Sequence, residues 1–339
     1  MRQFATLTKI LILQTGLVFS FFSCVEKSET PAAIQGEIAE KAMVVSARVE
    51  ASAIGLAIIQ QGGNALAVTY PFAGNLGGGG FMVYRMADGS VGSIDYREKA
   101  PGAATRDMYL DADGNVIPGL STQGAMASGV PGTIAGIFEA QAKFGKLNPA
   151  DIIQPVIELA EKGFVVTPRQ AERLERMRDT FIEVNGESTF YGKVYQTGDT
   201  VRNLALANTL TQIAANGSAE FYTGETGKKL ASFIQAKGGI ITESDLADYQ
   251  AAWRDPIVFP YKELKIISMA PPSSGGVTIA QIVGMIEDYD LRKLGHHSSE
   301  YIQLLVEAER RAYADRNFYL GDPDFVKIPV AALMAKDYL

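Results

Sequence analysis

Four consecutive glycines, Gly77 to Gly80, stand directly before a run that reads as two strands, and no other stretch limits the fold as tightly. Phe81-Met82-Val83-Tyr84 has the composition of one strand, Asp88-Gly89 is a turn signal, and Val91 to Tyr96 supplies the return strand. Residues without a Cβ do not stabilise a helix, and they lose the most backbone entropy on ordering. A folded chain therefore keeps four of them where other backbone or a ligand comes close. Arg97 leaves the second strand between Tyr96 and Glu98. Its rigid fork suits a carboxylate or phosphate, and it equally suits an internal ion pair with an aspartate or glutamate.

The rest of the chain mixes both periodicities. A short strand is predicted at Val44-Val45-Ser46, then a helix over 50–61 ended by Gly62-Gly63. Asn64 to Tyr70 is apolar, which predicts burial, yet too short for a helix that crosses a core. Helical spacing then predicts 134–144, 149–162 with Pro149 in the first turn, 168–181, 199–216, 228–237, 277–289 and 299–318. Thr242 with Glu243-Ser244-Asp245-Leu246 reads as a cap and first turn. Trp253 to Phe259 and Leu264 to Met269 read as two strands joined at Pro260-Tyr261-Lys262. The fold class is α/β (α+β).

The N-terminus differs in kind. Arg2 and Lys9 accompany an apolar run, Ile10-Leu11-Ile12-Leu13 and Leu17-Val18-Phe19, that ends at Phe21-Phe22-Ser23-Cys24. This is the pattern of an export signal too short to span a bilayer. Cys24 is the only cysteine, so no internal disulfide forms, and its position resembles the lipobox of bacterial lipoproteins. The expectation is a signal over 1–24 with lipid attachment at Cys24, a tether over 25–40 containing Pro31, and a folded domain over 41–339. A plain secretory signal with a chance cysteine is the alternative. Either places the product outside the cytoplasm, in the periplasm or cell envelope, with membrane contact only through a lipid anchor.

Chemistry is limited by what is absent. The net charge of -7 gives no reason to expect a nucleic-acid partner. His296 and His297 are the only histidines and are adjacent, and no CxxC or HExxH spacing occurs, so no metal or cofactor is expected. The same two histidines give a serine or cysteine nucleophile no positioned base, no G-x-S-x-G is present, and the glycine run is not a P-loop.

Longer motifs carry a resemblance. AGNLGGGGFMVY (Ala73 to Tyr84), DYREKAP (Asp95 to Pro101), SGVPGT (Ser128 to Thr133), APPSSGG (Ala270 to Gly276), YADR (Tyr313 to Arg316) and LGDPDF (Leu320 to Phe325) resemble, in order, the large-subunit half of the gamma-glutamyltransferase family, also called gamma-glutamyltranspeptidase or glutathione hydrolase. The resemblance implies an N-terminal-nucleophile hydrolase, an αββα sandwich with two central sheets between helical layers, of which this chain holds mainly the large-subunit half. In that family the precursor cleaves itself, and the threonine exposed at the start of the small subunit attacks the gamma-glutamyl amide of glutathione or a related compound. The ester passes to water or to an amino-acid or peptide acceptor. The threonine's own amine can serve as base because a free α-amine titrates near neutrality.

By resemblance, Arg97 of DYREKAP binds the α-carboxylate of the glutamyl group, and APPSSGG borders the catalytic region as scaffold. The nucleophile is expected beyond Leu339, and neither Thr278 nor another threonine here follows the processing motif. No catalytic residue is therefore assigned within the chain, and a small subunit is the implied partner. Gly62-Gly63-Asn64-Ala65 also runs directly into Leu66-Ala67-Val68. Roughly a dozen residues of the family pattern, about three turns at 3.6 residues each, are missing there. A loss of that size from a buried layer predicts an unstable, inactive product unless another chain supplies the missing parts, because total stability is only about 5–15 kcal/mol. Two other readings remain: a non-catalytic glutamate- or peptide-binding lipoprotein, and a related amide acylase such as a cephalosporin acylase.

Overall fold

The predicted hairpin forms as two antiparallel strands, β1 (Phe81–Arg85) and β2 (Val91–Asp95), with Phe81 opposite Asp95 and Arg85 opposite Val91. The computed structural model describes residues 75–339. The readings at Cys24, Val44 to Ser46, 50–61 and 64–70 lie outside the described residues. Gly89 turns the hairpin at φ 86, and Asp88 accepts from the Ser90 N–H at 2.9 Å. Pairing continues one step past the strands, where Gly80 and Tyr96 exchange backbone hydrogen bonds of 3.2 and 2.9 Å.

Several of the helices that follow start at side-chain caps, and the first four long ones stop at glycines. Gly132 leads into α1 (Thr133–Phe144), and Asn148 accepts from the Ala150 N–H to cap α2 (Pro149–Lys162), which Gly163 ends at φ 88. A capping box of Thr167 and Gln170 opens α3 (Pro168–Asn185), which runs past the expected Phe181 to Gly186. The helix expected over 199–216 begins later. Val201 and Thr200 form β4 (Thr200–Val201) against β3 (Phe164–Val165), and Asn203 caps α4 (Leu204–Asn216). Two β-branched residues fit the pleated pairing better than a helix start. Then come α5 (Ser218–Tyr222), α6 (Glu225–Ala236) and α7 (Glu243–Ala247), the last opened by the expected cap at Thr242 in a box with Asp245.

The single strand expected over Trp253 to Phe259 is two strands. Pro256 has no N–H to give to a ladder, and the chain breaks at Asp255-Pro256. On one side β5 (Ala252–Arg254) pairs with β2, Ser93 opposite Arg254, to make a sheet of order β1-β2-β5. On the other, β6 (Ile257–Tyr261) and β7 (Leu264–Ser268) form a separate hairpin that turns at Lys262, φ 51. Pro260 and Tyr261 thus belong to the strand rather than to the turn. The chain closes with α8 (Gly275–Ile286), α9 (Leu291–Leu294), α10 (Ser299–Tyr319) and α11 (Val330–Leu333).

Burial follows these pairings. Val130, Ile134, Ile213, Phe221, Ile241 and Leu246 form one apolar core beneath α1. Val156 and Ile157 of α2 meet Ala207 and Leu210 of α4 in a second. Ile257 and Phe259 of β6 pack on Val277 and Ala280 of α8 in a third. The end of β2 in the β1-β2-β5 sheet carries the candidate site.

Candidate active site

A cavity of about 590 Å³ opens where the end of β2, the turn into α8 and the C-terminal end of α10 meet, and Arg97, Arg254, Ser273, Ser274, Arg316 and Asp324 are in its wall. Within the glycine run, Gly79 is packed by backbone and Gly80 by the Tyr96 ring. A Cβ on Gly79 would lie 2.5 Å from the Tyr96 carbonyl oxygen and 2.8 Å from the Arg97 Cα. The carbonyl of Gly78 accepts from the N–H groups of Gly132 (2.9 Å) and Thr133 (3.0 Å), tying the run to the start of α1. Close approach of other backbone is thus found at Gly79.

Arg97 is exposed at the cavity. Its main chain is held on both sides: the N–H donates to Asp95 Oδ1 at 3.1 Å, and the carbonyl accepts from the Tyr249 hydroxyl at 2.7 Å. The guanidinium carbon lies 5.6 Å from the centre of the Phe81 ring. Among the described residues it makes no ion pair, so the internal-pair reading of this arginine finds no acid among them, and the side chain lines the open cavity.

Arg254 plays the opposite part. Its Nε donates to Asp95 Oδ2 at 2.9 Å, and its two terminal nitrogens donate to Asp324 Oδ1 and Oδ2 at 3.0 and 2.9 Å. Asp95 is buried, and Ser93 Oγ donates to the Arg254 carbonyl at 2.8 Å. Bidentate, charge-assisted geometry of this kind is the strong form of the pair. The hydrogen bonds to Asp324 lead in pushing the Arg254 pKa up, with Asp95 adding to them against burial, and Arg254 holds the Asp324 carboxyl below its ordinary range. Arg254 is thus occupied as a brace, whereas the Arg97 guanidinium has no acidic partner among the described residues.

The Ala270-to-Gly276 loop forms the facing wall. Pro271-Pro272 is a cis peptide, and Ser273 N–H donates to the Ala270 carbonyl at 3.1 Å. Ser274 Oγ accepts from Arg316 Nε at 3.4 Å, so a third guanidinium, from YADR on α10, borders the same space. No histidine lines it. His296 and His297 stack on each other at 3.8 Å, and no group of three metal-ligating side chains occurs among the described residues.

Arg97 and the proline-serine loop, both expected near the chemistry, border this one cavity. Arg254, Tyr249 and Arg316 carry no expected role in the sequence. Asp95 and Asp324 lie inside recognised motifs, which is a signal that something must neutralise them; Arg254, in a short strand before Asp255-Pro256, carries no such mark.

A model of the family Gamma-glutamyltranspeptidase matches residues 51–339. A glutathione hydrolase proenzyme of Pseudomonas sp. is 43% identical over 341 residues, covering 96% of this chain and 58% of the relative. One from Escherichia coli is 43% identical over 314 residues, covering 88% and 54%. This chain therefore spans little more than half the length of these curated relatives. The crystal structure of Helicobacter pylori gamma-glutamyltranspeptidase superposes with a TM-score of 0.87 at 42% identity, covering 90% of this chain and 91% of the chain it matches. The helices and antiparallel sheets described above thus take the N-terminal-nucleophile hydrolase fold that the motifs imply. With a family model over most of its length and a solved structure over nine-tenths of it, the chain belongs to the gamma-glutamyltranspeptidase family and covers its large-subunit part.

Proposed function

We propose that this chain is the substrate-holding part of an enzyme that hydrolyses glutathione and transfers gamma-glutamyl groups, with the threonine nucleophile supplied by a small subunit. The observation that carries the reading is Arg97, a guanidinium at a cavity of about 590 Å³ with no ion pair among the described residues. Its fork takes the α-carboxylate of the glutamyl group in two parallel hydrogen bonds and so fixes where the γ-carbonyl lies relative to the nucleophile. This contribution is orientation, not attack. Water or an amino acid or peptide then accepts the acyl group. The product is exported to the periplasm or cell envelope, with 1–24 as signal, Cys24 as the lipid-bearing residue, 25–40 as tether and 41–339 as the folded part.

In an enzyme completed with a threonine-led small subunit, Arg97→Ala raises the KM for a gamma-glutamyl anilide about ten- to hundredfold. Hydrogen bonds to a charged group contribute about 1.5–3 kcal/mol, and 1.36 kcal/mol is tenfold. An unchanged KM would overturn the assignment. Calorimetry of the isolated chain with glutamate and with glutathione tests the same site without turnover.

A further inference from the structure

The Arg97 guanidinium has no acidic partner among the described residues, but its backbone is held by Asp95 two positions before it, by Tyr249 far along the chain and by close packing on Gly79. On the carbonyl side, Tyr249 is buried, donates to the Arg97 oxygen at 2.7 Å and is absent from the cavity wall. Its ring stacks on Tyr222 with centres 5.6 Å apart and planes 6° from parallel. Tyr222 is fixed in turn, its hydroxyl donating to the Pro131 carbonyl at 3.0 Å and accepting from the Ala135 N–H at 3.1 Å. Burial, with Tyr222 and the acids Asp95 and Glu98 adding to it, keeps the Tyr249 proton in place far above neutral pH, so the hydroxyl stays a donor. On the N–H side, Asp95 Oδ1 accepts at 3.1 Å while its other oxygen takes Arg254 Nε, and Arg254 is gripped by Asp324. Gly79 closes the remaining side, its Cα against the Arg97 backbone with no room for a Cβ.

We propose that Tyr249, on one side, and the Asp95–Arg254–Asp324 chain, on the other, are positioning groups that set the direction from which Arg97 reaches the substrate carboxylate. A long side chain projects its head group accurately only if its base cannot turn. Two hydrogen bonds to one residue's N–H and C=O remove the rotations on either side of its Cα. Neither hold requires contact with substrate on the Tyr249 side, so loss of that hydroxyl misplaces the guanidinium without touching the reacting atoms. The inference rests on the reading of Arg97 as the carboxylate clamp.

The experiment is a double-mutant cycle in the enzyme completed with its small subunit, read by steady-state kinetics on a gamma-glutamyl anilide. Tyr249→Phe keeps the stacked ring and deletes one hydroxyl; a thermal melt of the same sample establishes that the fold survives. The expected result is a KM raised about three- to tenfold with kcat within twofold, and no further rise when the change is made in an Arg97→Ala background. Arg254→Lys, which keeps the charge and loses the two-pronged grip, tests the other side, and it replaces Tyr249→Phe should that variant fail to accumulate. Its KM also rises only while Arg97 is present. A KM unchanged by both variants, or raised equally with and without Arg97, overturns the proposal. If Arg97→Ala by itself leaves KM unchanged, it is the carboxylate assignment that fails.

Discussion

Arg254 and Asp324, 70 residues apart in the chain, are joined by two parallel N–H···O bonds of 3.0 and 2.9 Å. The same guanidinium neutralises Asp95, whose side chain is 9% exposed against 49% for Asp324. This asymmetry decides what each substitution does. Arg254→Ala leaves a buried carboxylate unpaired and is expected to lower stability by about 3–5 kcal/mol. Asp324→Asn removes a half-exposed partner and costs at most about 1 kcal/mol. Urea unfolding of the two variants, side by side, checks the order.

The ends of the pH scale test different groups. Arg254 depresses the Asp324 pKa in the folded state, so the stability from that pair is present above the ordinary carboxylate range and lost as pH falls through the depressed value. Burial raises Tyr222 to about 12, against the opposing hydrogen bond from Ala135. Its contribution is complete below about 10, the value for an unfolded tyrosine, and disappears as pH rises through about 12. Melting temperatures of the parent chain should therefore fall at both extremes. Asp324→Asn should flatten the acid limb and Tyr222→Phe the alkaline one.

Two neighbouring glycines should respond oppositely to alanine. A Cβ on Gly275 would lie 3.5 Å from Ser273 Oγ, an ordinary contact, while on Gly276 it would meet the Met269 carbonyl oxygen and come 2.8 Å from the Cβ of Ile257. Gly276→Ala is expected to destabilise by about 1–3 kcal/mol through overpacking. Gly275→Ala should be neutral or gain about 0.5–1 kcal/mol from the stiffer unfolded chain. Equal losses in a thermal unfolding series would refute this account of the loop.

Trp253 reports on the sheet's outer face. The Lys143 ammonium lies 3.7 Å from its ring centre, with Tyr84 and Phe144 packed around it and Glu139 accepting from the indole N–H at 3.4 Å. Because this is the chain's only tryptophan, fluorescence excited selectively at tryptophan reads the surroundings of this one ring. Lys143→Ala uncovers the ring, so emission should move to longer wavelength, with a stability loss of about 0.5–1 kcal/mol for an exposed cation–π pair.

Local rules were legible and distant partners were not. The Asp88-Gly89 turn, the Thr242 cap and the stop at Gly163 depend on residues within a few positions, and each falls where the pattern places it. Thr200-Val201 misled because a two-residue strand leaves no periodicity to detect. The split at Pro256 was marked by the proline itself, yet its consequence, that Ala252 to Arg254 join β2, depends on a pairing across the fold. At the site, Arg97 stood out as an arginine ending a strand. Tyr249 did not, because a hydroxyl that reaches a carbonyl 152 positions away has no local signature.

The pairing of β5 with β2 also sets an order of assembly. Ser93 and Arg254 are 161 positions apart, and Asp324 follows later still. During synthesis on the ribosome, the hairpin can close early while its Ser93-to-Asp95 edge waits for β5, whose Arg254 emerges 161 positions after Ser93. An uncovered edge of that kind invites association between nascent chains. Growth conditions that slow elongation between those positions should therefore bear on yield more than pauses elsewhere.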